Sequence, residues 1–234
     1  MNKKEMSGKI WFTSDTHFSH RNVIQYCPER RSLLSFGTIK ELDDAMHGAV
    51  DRAMDEMNAE LIKRWNAVVA DGDAVYHLGD FAMGSRKRIP EYLEQLNGTI
   101  VLIAGNHDHK KSDGCFTHVV RPGTIVEVED GIRVELIHNP QDVEGHAEIA
   151  FCGHVHDLWT HQRKGHTIPE YKTEHRDEKP FVAPCAIYNV GVDVRGYQPR
   201  SFREIVMHDA KTDGERTRIR PRDSQDSDCK RESI

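Results

Sequence analysis

An unbroken run of apolar and β-branched residues, Thr99-Ile-Val-Leu-Ile-Ala104, stops at Gly105-Asn106-His107-Asp108. A run of this kind reads as a strand buried on both faces, the mark of a parallel sheet, and the glycine breaks it into a loop. In open α/β sheets ligands gather in the crevice beyond the carboxyl ends of the strands, which is where Asn106, His107 and Asp108 then lie. The same arrangement recurs four more times. Residues 9–14 run into Asp15-Thr16-His17, and residues 74–78 into Gly79-Asp80. Residues 132–137 run into His138-Asn139-Pro140, and residues 147–152 into Gly153-His154-Val155-His156. Side chains alternate along a strand, so Asp15 with His17, and His154 with His156, form pairs able to point to one side.

The intervening segments fit a mixed α/β chain. From Thr38, which forms a possible capping box with Glu41, apolar residues recur at three- and four-residue spacing from Ile39 to Trp65. This predicts a core-facing helical stretch broken once, with its methionines used for packing. Residues 90–96 read as a short helix closed by Asn97-Gly98, so strand, helix and strand follow in the order of a parallel crossover. Asp130-Gly131 between two apolar runs predicts a hairpin. Residues 186–193 read as a strand and turn, and Ser201 with Glu204 caps a last helix over 202–207.

Two stretches lack periodicity. Residues 157–184 are polar and rich in His, Lys and Glu, and are expected to run over the surface as an excursion or lid, with His161, His166 and His175 solvated. Residues 210–234 have the composition of a disordered tail, including solvated Arg216, Arg218, Arg220 and Arg222. Residues 1–209 are thus expected to form a single domain. Five scattered cysteines without a CxxC pair, no secretory signal and no membrane span lead to the expectation of a soluble, cytoplasmic protein. A net charge of −6 provides no general basic face for nucleic acid. Fifteen histidines are the more informative count, since imidazole is the commonest neutral metal ligand.

Taken together, the strand ends supply Asp15, His17, Asp80, Asn106, His107, His138, His154 and His156. Carboxylate, imidazole and amide oxygen without a nearby thiolate suit Mn²⁺, with Fe, Zn²⁺ or Ni²⁺ as alternatives, and a shared carboxylate suits a pair of ions. The ordered motifs D-x-H, G-D, G-N-H-[D/E], H and G-H-x-H resemble those of the calcineurin-like metallophosphoesterases, especially small single-domain members from phage and bacteria. The resemblance implies a four-layer sandwich of two mixed sheets flanked by helices. It implies two divalent ions, one on Asp15, His17 and His156, the other on Asn106, His138 and His154, with Asp80 bridging. It further implies a bridging hydroxide as nucleophile, His107 as proton donor to the leaving oxygen, and Asp108 orienting His107. Pocket positions would be His20, Asn22, His109 and Tyr197. Members of this type often carry an aromatic residue where this chain has Asn139.

The function implied is hydrolysis of phosphate esters, with phosphodiesters of nucleotide type expected ahead of monoesters. Alternatives on the same fold are a phosphomonoesterase, a protein phosphatase or a nuclease, with nucleic acid disfavoured by the acidic net charge. A non-catalytic scaffold would have lost ligands, whereas every motif is intact here.

Overall fold

The computed structural model describes residues 8–108, 113–172 and 177–212. His109, His175 and the stretch read as a tail beyond 212 lie outside the described residues.

The apolar runs become strands that pair as their patterning requires. The first half supplies β1 (Ile10–Thr13), β2 (Ala74–His77), β3 (Thr99–Ile103) and β4 (His118–Val120). The second supplies β5 (Thr124–Glu127), β6 (Arg133–Leu136), β7 (Ile149–Cys152), β8 (His161–Gln162) and four short strands, β9 (Thr167–Ile168), β10 (Tyr171–Lys172), β11 (Asp177–Glu178) and β12 (Phe181–Val182). β13 (Ala186–Asn189) and β14 (Arg200–Ser201) follow. One five-stranded sheet has the order β14-β1-β2-β3-β4, the other β5-β6-β7-β13-β8. β1 through β4 are mutually parallel, as are β6, β7 and β13, and the outer strands β14, β5 and β8 run antiparallel. The Asp130-Gly131 hairpin joins β5 to β6 in the register Val126↔Val134.

The sheets pack face to face through Phe12, Leu78, Ile103, Leu136 and Phe151, with the rings of Phe12 and Phe151 edge to face at 4.9 Å. The other face of the first sheet is covered by helices. The helical stretch divides into α2 (Phe36–Asp43) and α3 (Ala49–Asn66), after the four-residue α1 (Val23–Tyr26). α3 lays Ala53, Met57, Leu61 and Trp65 against Trp11, Val75 and Leu102. Burying Met57 and Leu61 contributes about 1.5–3 kcal/mol each. α4 (Ile89–Leu93) makes the crossover from β2 to β3. The cap of α2 differs from the expected Thr38–Glu41 box. Ser35 is the N-cap and accepts from the Thr38 amide, while the Glu56 carboxylate accepts from the Ser35 amide and the Thr38 hydroxyl.

The expectation of a polar excursion over 157–184 is corrected. Trp159, Ile168, Tyr171 and Ala183 are buried and cover the outer face of the second sheet against Ala150, Cys152 and Ile187. The segment is a layer built from two-residue strands, β10 with β11 and β9 with β12, too short to show a periodicity. α5 (Phe202–Thr212) ends the described residues, opened by the expected Ser201–Glu204 box, and tucks Phe202 and Ile205 into the intersheet core. No helix among the described residues is long and apolar enough to cross a membrane.

Candidate metal centre

The carboxyl ends of β1, β2, β3, β6 and β7 meet at one end of the sandwich, and each delivers its polar cluster there. Pairing between the first two strands continues past both of them. The Asp15 amide donates to the Gly79 carbonyl and the His17 amide to the Asp80 carbonyl, both at 3.0 Å. Asp15 and His17 reach one side by a different route from the strand alternation expected, because β1 has already ended at Thr13. Both adopt left-handed backbone, with φ of 57° and 50°, and Asp80, His154 and His156 do the same at 57°, 71° and 44°. Such conformations cost non-glycine residues about 1–3 kcal/mol each and persist where surrounding contacts over-determine them, which happens chiefly at functional sites. Close approach explains two of the motif glycines. A Cβ on Gly153 would lie 1.9 Å from the Ser14 hydroxyl, and one on Gly105 would lie 2.3 Å from Asp80 Oδ1.

Hydrogen bonds orient the imidazoles, each with one ring nitrogen turned away from the centre. His138 Nδ1 donates to the Leu78 carbonyl at 2.7 Å, and its Nε2 stands 2.9 Å from Asn106 Oδ1 and 3.4 Å from Asp80 Oδ2. His154 Nε2 lies 3.1 Å from the Glu178 carboxylate, leaving Nδ1 2.9 Å from the same Asn106 oxygen. His156 Nδ1 donates to Asp193 at 2.8 Å, and Cys27 Sγ lies 3.4 Å from that nitrogen. Both ring nitrogens of His17 are buried without a hydrogen-bond partner. Oxygens of Asp80 and Asn106 and ring nitrogens of His138 and His154 thus converge within a few ångströms of one another, a set of donor atoms suited to a cation. Ligand atoms of Asp15, His17 and His156 lie within 4.8 Å of one another, as do those of Asp80, His138 and His154. The residues present fit divalent metal ions.

Burial and neighbouring charge tune the groups in opposite directions. Burial pushes Asp15 up and His17 far down. It also pushes Asp80 up, but the charge and hydrogen bond of His138 outweigh it and hold Asp80 well below the usual carboxylate range. Reciprocally, His138 is raised to about 9, Asp80 overcoming the burial that opposes it. His154 falls to about 4, by burial first and then by the charge of His138.

The remaining expected positions divide. His107 donates its backbone N–H to Asp80 Oδ1 at 2.9 Å, and its Nε2 stands 3.9 Å from Asp80 Oδ2. Asp108, expected to orient His107, binds backbone. Its carboxylate accepts from the amides of Asp80, Phe81 and Gly105 at 2.8, 3.1 and 2.8 Å, so it locks together the loops that carry Asp80 and His107. His20 sits at the centre, its ring 5.2 Å from that of His17 and 6.2 Å from that of His107. Asn22 is exposed at the start of α1. Tyr197 is buried in the helical layer with the guanidinium of Arg64 over its ring. Neither lines the pocket, whose wall includes Val23, Tyr26, Leu158 and Lys172 beside the histidines.

Arg30, Asp193 and Glu178 were not anticipated. Arg30 is fully buried, forks onto Asp193 through Nε and Nη2 at 2.7 and 2.9 Å, and donates to the carbonyls of Asp15 and Thr16 at 2.6 and 3.0 Å. The Asn189-Val-Gly-Val-Asp193 stretch was visible in the sequence, but no local signal pairs its aspartate with Arg30.

Residues 8–194 match the sequence profile of the calcineurin-like phosphoesterases. The chain belongs to that family. As a member it is a metal-dependent phosphoesterase whose substrates are phosphate esters. This calcineurin-like phosphoesterase is 36% identical over 201 residues to the uncharacterized protein MJ1445 of Methanocaldococcus jannaschii, covering 85% of this chain and 89% of that one. It is 32% identical over 101 residues to the gene 66 protein of Mycobacterium phage L5, covering 42% and 39%. The solved structure of AQ665, a protein of unknown function from Aquifex aeolicus, shares the fold with a TM-score of 0.55 at 23% identity, covering 85% of this phosphoesterase and 98% of itself.

Proposed function

We propose that this phosphoesterase hydrolyses phosphodiesters of nucleotide type at a dinuclear centre, with Mn²⁺ as the favoured metal. Asp15, His17 and His156 would hold one ion, Asn106, His138 and His154 the other, and Asp80 would serve both. The observation that carries this reading is the convergence of ligand atoms of Asp80, Asn106, His138 and His154 at one point, beside the set formed by Asp15, His17 and His156. Bound divalent ions supply Lewis acidity for the phosphoryl group and for the attacking water.

The protein's own groups do the rest. Asp108 and Arg30 fix the loops, so the ligands stand in place at little reorganisation cost. His107, held at the rim by its bond to Asp80, donates a proton to the departing oxygen. The pocket wall is compatible with an organic ester group: Tyr26 and Leu158 offer an aromatic and apolar surface beside the histidines, which the second organic group of a diester can use in addition to the first. Tyr26, 37% exposed, can stack on a base or an aryl group.

The paired test is Mn²⁺-supported turnover of bis-p-nitrophenyl phosphate against p-nitrophenyl phosphate. Faster diester turnover supports the proposal, faster monoester turnover replaces the substrate class, and no turnover of either rejects the reading. His107→Ala is expected to keep both ions and to lose about 10²–10⁴-fold in turnover. A rate equal to the parent's would remove His107 from the reaction.

A further inference from the structure

The second layer of the sandwich reaches into the metal centre at one point. Glu178, on β11, is 2% exposed, and its carboxylate stands 3.1 Å from His154 Nε2. Burying a carboxylate is costly unless hydrogen bonds compensate it, so this position must be held for a reason. Its surroundings are built to hold it. The Asn139 amide faces the same oxygen at 3.4 Å, and the side chain of Gln141 donates to the carbonyl of Lys179, the residue after β11, at 2.6 Å. The loop that carries His138 therefore grips β11 at two places. Across the hairpin, Tyr171 pairs with Glu178 and is buried in the cluster of Trp159 and Ile168, so β10 cannot slide without exposing it. Asn139, polar where an aromatic residue was expected, acquires a use here.

An imidazole presents only one lone pair when neutral, and a metal-binding histidine needs its other nitrogen to be the protonated one. We propose that Glu178 is the positioning residue of His154. By accepting the Nε2 proton it leaves the Nδ1 lone pair for a divalent ion, and it makes the β10–β11 hairpin part of the metal centre. This rests on the assignment of His154 as a ligand made above. It also carries a reciprocal consequence: an ion that holds His154 holds the hairpin, and loosening the hairpin weakens the ion.

The test uses the full chain and Co²⁺ as a spectroscopic probe, with titrated uptake read from its visible absorption. It is joined by long-range ¹⁵N correlation of the histidine rings in the metal-free protein. Glu178→Ala is expected to bind one of two Co²⁺ ions about 10–100-fold more weakly and to shift the absorption bands. The other ion should bind as before. Glu178→Gln, whose amide oxygen still accepts, should recover most of the affinity. In the metal-free parent His154 should carry its proton on Nε2, and Glu178→Ala should lose that preference. Gln141→Ala separates positioning from mere support, because it frees the same strand and spares the carboxylate; near-parental uptake is expected. Two-ion binding unchanged in Glu178→Ala, or a Gln141→Ala defect as large as that of Glu178→Ala, overturns the proposal. A parent chain that takes up fewer than two ions instead overturns the dinuclear reading, and this inference with it.

Discussion

Asp80→Ala is expected to abolish turnover, by about 10³-fold or more, and to reduce bound metal from two ions to one or none. The fold loss corresponds to about 4 kcal/mol of transition-state stabilisation, within what an ion pair clamping a phosphoryl group supplies. Asp80 is the hub of the centre. One carboxylate oxygen stands 3.4, 3.7 and 3.9 Å from nitrogens of His138, His17 and His107, and the other accepts the His107 amide at 2.9 Å. Truncation removes the negative charge that three imidazoles share and the acceptor that places His107. Asp80→Asn, which keeps an acceptor for His107 and loses the charge, should bind metal almost as poorly. Elemental analysis of purified variants decides it, and a truncated chain that retains both ions would remove Asp80 from the shared position.

Arg30→Met carries the largest expected effect on stability. Arg30 and Asp193 have side chains 0% and 1% exposed. Removing the guanidinium strands a buried carboxylate and two carbonyls, at a cost of about 3–5 kcal/mol. At about 2–4 °C per kcal/mol for a domain of this size, the melting temperature should fall by roughly 6–20 °C. Lysine cannot substitute, since one ammonium cannot fork onto the carboxylate and reach both carbonyls. The double variant Arg30→Met, Asp193→Leu should recover much of the loss, because no charge is then left buried. The pH sign follows from Asp193. Burial pushes its carboxyl up, but Arg30 and His156 outweigh this and hold it far below the usual range. A group depressed on folding stabilises the fold above its unfolded pKa, about 3.9, and loses that contribution as pH falls towards the folded value. The penalty of Arg30→Met should therefore be full at pH 7 and shrink as acid protonates the stranded Asp193, which without Arg30 takes its proton at a higher pH than in the parent. A shift under 1 °C at neutral pH would contradict the argument.

Much of the centre was legible because the information is local. A parallel strand must be apolar along its whole length, so the residue at which the run stops announces itself, and it did so at Asp15, Asp80, Asn106, His138 and His154. The hairpin at Asp130-Gly131 and the Ser201–Glu204 cap are equally local. What supports those ligands is not. Arg30 and Asp193 are 163 residues apart in sequence, and Glu178 meets His154 from a strand of two residues, which is too short to carry a period. The 157–184 segment read as polar because its buried residues, Trp159, Ile168 and Tyr171, are spaced by no regular element. β4 was missed for a related reason: three half-exposed residues carry no apolar run.

The division of the proposed ligands between the two sheets has a consequence for the chain as a whole. Asp15, His17, Asp80 and Asn106 stand at the ends of strands in one sheet, and His138, His154 and His156 at the ends of strands in the other. The peptide crosses from the first sheet to the second within residues 121–123, between β4 and β5. A break there would separate two incomplete coordination sets, one rich in carboxylates and the other purely imidazole. Neither fragment could bind an ion pair alone, so metal would act as a rivet between them and turn reassembly of a split chain into a titratable event.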